Sequence, residues 1–280
     1  MDNPVFAAVL LAAFLHAAWN VQIKLNLDRF LALFLLQSLM GLIGLGLLVV
    51  LGLPGRDALP FALLSGALHT GYNLFLARSY RQGELGLVYP LARGTAPLLT
   101  FIAAMLFTHD TPTLLASLGI LALIGGLLAA GLSGFKRKTA DLPTIFYALG
   151  TAVFIAVYTI VDGLGGRVSG APIAYAGLVF VFDSLMLMVV ALALRGPSVF
   201  KAVAPQWKAG LGGATAASLS YALVIWAMAH APIAMVAALR ETSIIFALVM
   251  SARYLAETMT LLRVVAGLLI VAGAVLLRLA

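Results

Sequence analysis

The stretch HDTPTLLASLGILALIGGLLAAGL occupies residues 109–132, and a related stretch, AETMTLLRVVAGLLIVAGAVLLRL, occupies residues 256–279. Each begins with a short polar turn that holds an acidic residue. Each then continues as an apolar run with small residues suited to close helix packing. The two stretches lie 147 residues apart. Their likeness indicates that the second half of the chain repeats the first.

Other positions follow the same repeat, with offsets between 139 and 149 residues. Changes in the lengths of the connections would produce a drift of this size. The matched positions are Arg93 with Arg240, Thr95 with Thr242, Asp110 with Glu257, Gln37 with Asp183 (QSLM with DSLM), Tyr72 with Tyr221, and Trp19-Asn20 with Tyr158-Thr159.

The composition is that of a membrane protein. Of the 280 residues, 63% are hydrophobic and 10% are charged, whereas soluble domains carry about 25% charged residues. The chain has no cysteine, so it has no disulfide, thiolate nucleophile or cysteine metal site. The net charge of +7 comes from basic residues between apolar runs, a pattern typical of cytoplasmic connections. We therefore expect no nucleic-acid partner and no cofactor.

Ten segments approach the length of about 20 residues that a bilayer core requires. An odd number of segments in each half inverts the second half in the membrane. We therefore predict an all-α integral membrane protein with ten transmembrane helices in two inverted five-helix repeats, residues 1–135 and 143–280, joined by a basic connection at 136–142. The segments are 4–24, 30–52, 58–80, 84–107, 112–133, 143–162, 171–194, 209–229, 232–252 and 258–279.

Inverted repeats are typical of secondary transporters, which bind their substrates between the two halves near the bilayer midplane. Lysines and arginines are concentrated in the odd-numbered connections, while the even ones hold Arg56 and Arg167. The positive-inside rule then places the odd connections in the cytoplasm. Segments 5 and 10 carry small residues and few polar ones, so they are predicted to serve as a scaffold or as a weak homodimer interface; a monomer is the alternative.

Polar side chains recur at helical spacing on segments 1, 3, 4, 6, 8 and 9, which predicts that these segments line a central cavity. Asp183, on segment 7, is expected outside this ring. Pro90 and Pro97 interrupt segment 4 and are predicted hinges. The predicted cavity residues are His16, Trp19, Asn20, His69, Tyr72, Asn73, Tyr89, Arg93, Thr95, Tyr158, Thr159, Asp162, Ser218, Tyr221, Arg240, Glu241, Thr242 and Ser243.

The charges on segments 4 and 9 have two readings. Arg93, Arg240 and Glu241 could form an ion pair that joins the two halves, or an arginine could bind a substrate carboxylate. A charge at the bilayer centre costs at least about 2.5–3.5 kcal/mol, so either role requires a counter-charge. Adjacent helical residues point about 100° apart. We therefore expect Glu241 to pair with Arg93 across the halves and leave Arg240 in the cavity.

The motifs HAAWN (16–20), GELGLVYPLARGTAPLLT (83–100) and RETSIIFALVMSARYLAET (240–258) resemble the drug/metabolite transporter superfamily, in its EamA-type ten-helix branch. Within that branch the chain is most similar to YddG-like amino-acid exporters. The resemblance covers nearly the whole chain and implies export of aromatic and other amino acids from a central cavity. Related families handle other metabolites. An arginine at position 93 departs from the apolar or small residue that is ordinary there.

These observations predict a secondary transporter in the bacterial inner (plasma) membrane that exports amino acids, aromatic or otherwise apolar, or similar small metabolites by alternating access. Its partners would be the small-molecule substrate and the lipid bilayer. An exporter of a small organic anion or a nucleoside-type metabolite is the alternative. A channel or an intramembrane enzyme is a further class, but the sequence holds no HExxH, GxSxG or paired-aspartate motif.

Overall fold

The structure is a computed structural model that describes residues 1–22, 28–82, 85–108, 110, 112–132, 142–254 and 260–280. Most of the predicted basic connection, and Glu257, lie outside the described residues. The described chain is helical and contains no β-strand. Its α-helices are α1 (Asn3–Gln22), α2 (Arg29–Leu51), α3 (Leu59–Gln82), α4 (Leu85–Phe107), α5 (Leu114–Leu132), α6 (Leu142–Val168), α7 (Pro172–Arg195), α8 (Ser198–Val203), α9 (Trp207–His230), α10 (Ile233–Arg240), α11 (Ser243–Tyr254) and α12 (Leu261–Leu279).

Seven stretches of the described chain are long and apolar enough to cross a membrane. Two shorter apolar stretches, Leu91–Phe107 and Leu114–Ala130, belong to α4 and α5. Helix α3 has 24 residues and is about 36 Å long, which matches a hydrocarbon core of about 30 Å, although its polar side chains lower its hydropathy. These features are those of an all-helical, multi-pass integral membrane protein. The seven stretches are Asn3–Asn20, Phe30–Leu51, Leu142–Val168, Pro172–Arg195, Ser198–His230, Ile233–Met250 and Leu261–Leu279.

The helices of the first half pack extensively on those of the second. Helix α3 packs on α6 and α7, and α9 packs on α1 and α2. Helix α4 packs on α6, and α10 and α11 pack on α1. Two further contacts, α2 with α7 and α5 with α12, join helices at equivalent places in the two halves. Because neighbours come from opposite halves, the space between the halves lies at the centre of the fold.

The segment predicted at 232–252 is two helices. Helix α10 ends at Arg240, α11 begins at Ser243, and the turn between them keeps its hydrogen bonds by tightening. The amides of Glu241 and Thr242 donate to carbonyls three residues earlier, at 3.0 and 3.1 Å. Such short-range bonds satisfy the backbone where lipid offers no partner. The sequence gives little sign of this break because Glu241 and Thr242 are compatible with a helix.

Helix α4, by contrast, is continuous from Leu85 to Phe107, through both predicted hinge positions. Pro97 has no amide hydrogen, so it cannot donate to the carbonyl of Arg93 four residues earlier. The helix therefore lacks the backbone hydrogen bond to the carbonyl of Arg93, but it continues past this point. Whether Pro90 and Pro97 act as hinges stays a prediction.

Small residues set the contact between α5 and α12. A Cβ atom on Gly119 would lie 3.0 Å from the carbonyl oxygen of Gly273, and one on Gly126 would lie 2.8 Å from that of Ala266. Glycine lets the two backbones approach this closely. Gly125, the immediate neighbour of Gly126, would meet nothing within 4 Å if it carried a Cβ. Segments 5 and 10 thus form an intramolecular scaffold, and the homodimer stays a prediction.

Substitutions at the adjacent glycines 125 and 126 test this contact. We expect Gly126→Ala to lower stability by about 1–3 kcal/mol because its methyl group would overpack the backbone of Ala266 and Ile270. Gly125→Ala should leave stability unchanged or raise it, since alanine favours a helix by about 1 kcal/mol over glycine. Thermal melts of the purified variants in detergent, followed by tryptophan fluorescence, measure both effects. Equal losses in the two variants would contradict the packing.

Candidate functional site

A cavity lies between the two halves, with about 690 Å³ of atom-free space that includes open solvent. The cavity brings together the predicted residues His16, Trp19, His69, Tyr72, Asn73, Arg93, Tyr158, Tyr221 and Arg240. The other residues that line it are Leu33, Leu36, Gln37, Met40, Val179, Phe180, Asp183, Ala217 and Ser220.

One wall of this larger cavity is aromatic. The rings of His69 and Tyr158 stack with centroids 4.0 Å apart and planes 23° from parallel. Tyr221 meets His69 edge-on at 5.5 Å, and Tyr72 meets Tyr158 edge-on at 5.8 Å. Offset and edge-on arrangements of this kind are favourable for aromatic rings. The wall offers a rigid, largely apolar surface to a ring or an aliphatic side chain.

Arg93 and Glu241 form the ion pair that the sequence predicted. Arg93 Nη2 donates to Glu241 Oε2 at 3.0 Å, and the two side chains are only 11% and 9% exposed. Arg93 lies on α4, and Glu241 occupies the turn between α10 and α11. The pair therefore bridges the two halves and neutralises a buried guanidinium with a buried carboxylate.

Arg240 differs from Arg93 in its surroundings. Its guanidinium carbon lies 5.3 Å from the centroid of the Tyr221 ring, a cation–π contact. Its buried Nε has no hydrogen-bond partner, and no carboxylate of the described chain forms a salt bridge with it. Arg240 therefore brings to the cavity wall a positive charge that no described carboxylate pairs with.

A smaller cavity, with about 370 Å³ of atom-free space, adjoins the first. Tyr221 and Arg240 line both cavities. Arg93 lines only the larger and Glu241 only the smaller, so the ion pair crosses the layer between them. This layer of four side chains separates the two spaces. The smaller cavity is also lined by Ala96, Pro97, Thr100, Ile155, Thr159, Val224, Met228 and Ala237.

Asp162 was predicted in the cavity but lines neither space. Its side chain is fully buried and accepts hydrogen bonds from the hydroxyl groups of Tyr175 at 3.2 Å and Tyr221 at 2.5 Å. Of these two tyrosines, Tyr221 lines the larger cavity. Asp162 therefore holds Tyr221 in place rather than facing a ligand directly.

Several other predicted residues also lie outside the larger cavity. Asn20 is exposed and donates to the His16 carbonyl of its own helix at 2.8 Å. Thr159 lines only the smaller cavity. The side chain of Tyr89 lies outside the described residues. Helical spacing gives the face of a residue but not its depth, which is the reason for these differences. Thr95, Ser218, Thr242 and Ser243 line neither cavity.

The prediction missed α2 and α7, which contribute Gln37 and Asp183 to the larger cavity. Both side chains are buried, and each has an oxygen without a hydrogen-bond partner, Gln37 Oε1 and Asp183 Oδ1. The expectation that segment 7 lies outside the inner ring was therefore wrong. The repeat itself carried the signal, because these residues begin the matched segments QSLM and DSLM.

A second ion pair contacts Met228, which lines the smaller cavity. Arg167, at the end of α6, donates from both terminal nitrogens to Asp110, at 3.1 and 2.8 Å. It also donates to the carbonyls of Met228 and Ala231, each at 2.9 Å. The Ile233 amide donates to Asp110 at 3.0 Å. One guanidinium and one carboxylate thus tie together the ends of α4, α6, α9 and α10.

Asp110 lies in the connection between α4 and α5, outside the apolar helices. Burial alone would raise the pKa of its carboxyl group. The hydrogen bonds from Arg167 and the Ile233 amide outweigh that effect and hold the pKa below its usual value. The folded state therefore favours the ionised carboxylate.

Comparison with known proteins adds to this geometry. Residues 142–279 match the EamA-like transporter family. The EamA-like region supplies Tyr158, Asp183, Tyr221, Arg240 and Glu241, and the match supports the resemblance to the drug/metabolite transporter superfamily. It also supports a multi-pass membrane protein that transports small molecules. A search of curated proteins found no match.

A solved structure shares the fold over the whole chain. It is titled "Crystal structure of protein" and superposes with a TM-score of 0.77, covering 100% of this chain and 98% of that one. The sequences are 16% identical, so the likeness shows the fold alone. It extends the fold beyond the EamA-like region to the first half.

The Arg93–Glu241 pair makes a measurable contribution to stability. Arg93→Ala should lower the free energy of unfolding by about 3–5 kcal/mol, because it leaves the Glu241 carboxylate buried and unpaired. Adding Glu241→Gln should recover most of that loss. A double-mutant cycle of melts in detergent gives the coupling, and Arg78→Ala on the exposed surface is the control. Additive losses would show that the pair does not couple the halves.

The Asp110–Arg167 contact makes stability depend on pH in a defined direction. At pH 7, Asp110→Asn should destabilise the protein by about 1–3 kcal/mol. Because the folded pKa is lowered, the contribution is complete above the unfolded pKa of about 3.9 and is lost as the pH falls below that value. The difference between the melts of the wild type and the variant should therefore be smaller near pH 3 than at pH 7. Asp57→Asn, at an exposed aspartate, is the control and should change neither melt. A difference between wild type and Asp110→Asn as large near pH 3 as at pH 7 would contradict this account.

Proposed function

We propose that this chain is a secondary transporter that exports amino acids with aromatic or other apolar side chains by alternating access. The observation that carries the proposal is the larger cavity, which combines an aromatic wall with the available guanidinium of Arg240. An amino acid presents a carboxylate and a side chain of matching chemistry. The EamA-like match supports transport of small molecules in general, and the cavity chemistry supports this narrower substrate class.

We also propose that ten helices form two inverted five-helix repeats, in which α1 to α5 correspond to α6, α7, α9, α10–α11 and α12. Exchanging the two sets turns the α3–α6 contact into α9–α1 and the α3–α7 contact into α9–α2, and both members of each exchange occur. The same exchange converts the α2–α7 contact into itself, and likewise the α5–α12 contact. Because these helix contacts are unchanged when the two sets of helices are exchanged, they support a twofold relation between the halves.

The α5–α12 contact supports the repeat at the level of single residues. In the 147-residue offset of the sequence repeat, Gly119 corresponds to Ala266 and Gly126 to Gly273. The close approach of Gly119 to Gly273 therefore exchanges with that of Gly126 to Ala266, and both are present. The contact maps onto itself when the halves are interchanged.

Transport by alternating access requires closure on one side at a time. The larger cavity extends toward the odd connections, because it takes residues from the end of α1 and the first half of α2, whereas the smaller cavity takes residues from the end of α9. With the odd connections in the cytoplasm, this cavity faces inward. The Asp110–Arg167 pair and the layer of Arg93, Glu241, Arg240 and Tyr221 then close the outward path. Opening the path would require both ion pairs to rearrange.

Transport in proteoliposomes tests the proposal. We expect saturable counterflow of aromatic and apolar amino acids by the purified protein, with organic anions and nucleosides as the comparison panel. Arg240→Gln should weaken amino-acid binding by at least about tenfold, since it removes a charged hydrogen bond to the carboxylate. Arg240→Lys should retain part of it.

Arg56→Gln, which changes an exposed arginine outside both cavities, is the matched control and should transport as the wild type does. Flux of organic anions without amino acids would favour the alternative class of exporter. Absence of flux for every member of the panel, by a protein that melts cooperatively, would contradict a transport function.

A further inference from the structure

The polar side of the larger cavity, opposite in charge to Arg240, has no role in the proposal so far. We propose that Asp183, with Gln37 and Asn73, forms the subsite that binds the ammonium group of the substrate. This inference rests on the proposed function and deepens it, because it separates zwitterionic substrates from simple anions.

Asp183 is buried without a counter-charge from a described basic side chain. Asp183 lines the cavity and is 3% exposed, and its buried Oδ1 has no hydrogen-bond partner. No salt bridge joins Asp183 to a basic side chain in the part of the chain that the structure describes. A buried carboxylate is disfavoured unless a cation compensates its charge. The protein does not supply that cation from its described residues, so a ligand is suited to do so.

The neighbours of Asp183 supply further hydrogen-bond acceptors for an ammonium group. Asn73 is 1% exposed and Gln37 is 8% exposed, and the carbonyl oxygens of both amides lack partners. Together with Asp183 Oδ1 they make three unpartnered acceptors on residues that line the cavity, as many as the N–H donors of a primary ammonium group. A proton would require only the carboxylate. The unpartnered Asn73 Nδ2 is a donor and remains available to a carboxylate or water.

Arg240 and Asp183 line the same cavity. Arg240 lies 5.3 Å from the Tyr221 ring centroid, and the Tyr221 ring lies 6.3 Å from that of Phe180. Phe180 is three residues before Asp183 on α7, so the two share a helix face one turn apart. Arg240 and Asp183 are therefore linked through the neighbouring rings of Tyr221 and Phe180.

The repeat shows that this arrangement is specific to one half. Gln37 stands where the second half has Asp183, and both side chains line the same cavity. A symmetric pair of glutamines would offer amides alone, and a pair of aspartates would add a further uncompensated charge. One aspartate with amide neighbours suits a single positive group.

Three ligands that differ by one charged group test the subsite. Phenylalanine carries both charges, 3-phenylpropanoate lacks the ammonium, and 2-phenylethylamine lacks the carboxylate. Binding of each to the full chain in nanodiscs is measured by calorimetry, for the wild type and for Asp183→Asn, which keeps the shape and removes the charge. We expect Asp183→Asn to weaken phenylalanine and phenylethylamine by about tenfold to a hundredfold. Phenylpropanoate should bind unchanged or more tightly.

Asp57→Asn makes the same chemical change at an exposed site and should alter none of the three affinities. Asp183→Ser is a second variant that removes the charge if the asparagine variant does not fold. Equal changes for all three ligands, or none, would overturn the ammonium subsite while leaving amino-acid transport intact. A variant that alters only the pH dependence of transport would overturn it in favour of a proton site. Failure of the wild type to bind or transport any amino acid would overturn both proposals together.

Discussion

A buried guanidinium needs a counter-charge, and the packing at the centre of the described fold depends on the one that Arg93 has. Its partner, Glu241, comes from the other half of the chain and sits where α10 gives way to α11. Removing either charge would leave the other in a medium that solvates it poorly. The pair therefore fixes α4 against the α10–α11 turn, and this junction carries the layer that separates the two cavities. Tyr221, held by Asp162, completes that layer with Arg240.

Helical periodicity and the internal repeat were sufficient to predict the helices and the Arg93–Glu241 contact. They were not sufficient to place α2 and α7. A Cβ on Gly41 would lie 2.4 Å from Ser184 Cβ, so these helices approach closely and bring Gln37 and Asp183 inward. Such an approach depends on side chains of both helices at once, and spacing within one helix does not reveal it. The same limit applies to Asp162. Periodicity places it on the expected face of its helix, but its carboxyl group is buried and hydrogen-bonded to two tyrosines.

The repeat is most informative where it fails. Equivalent positions hold Gln37 and Asp183, which both line the larger cavity, and Gly94 and Glu241, of which Glu241 lies in the layer between the cavities. The scaffold contact of α5 with α12 has small residues in both halves, because close helix packing requires them there. A substrate with different ends cannot be matched by two identical half-sites. In the proposed function, divergence at the cavity supplies the required difference in charge, while the scaffold retains the symmetry that closes the fold.

The self-exchanging contact of α5 with α12 bears on the origin of such a chain. In an isologous interface residue i of one subunit meets residue j of the other, and j meets i. Gly119 and Gly126 stand in this relation to Gly273 and Ala266. Two separate copies of an ancestral half-chain, inserted in opposite orientations, could have formed the same contact as a dimer. Gene fusion would then have joined subunits that already fitted, and left each free to evolve its own cavity residues.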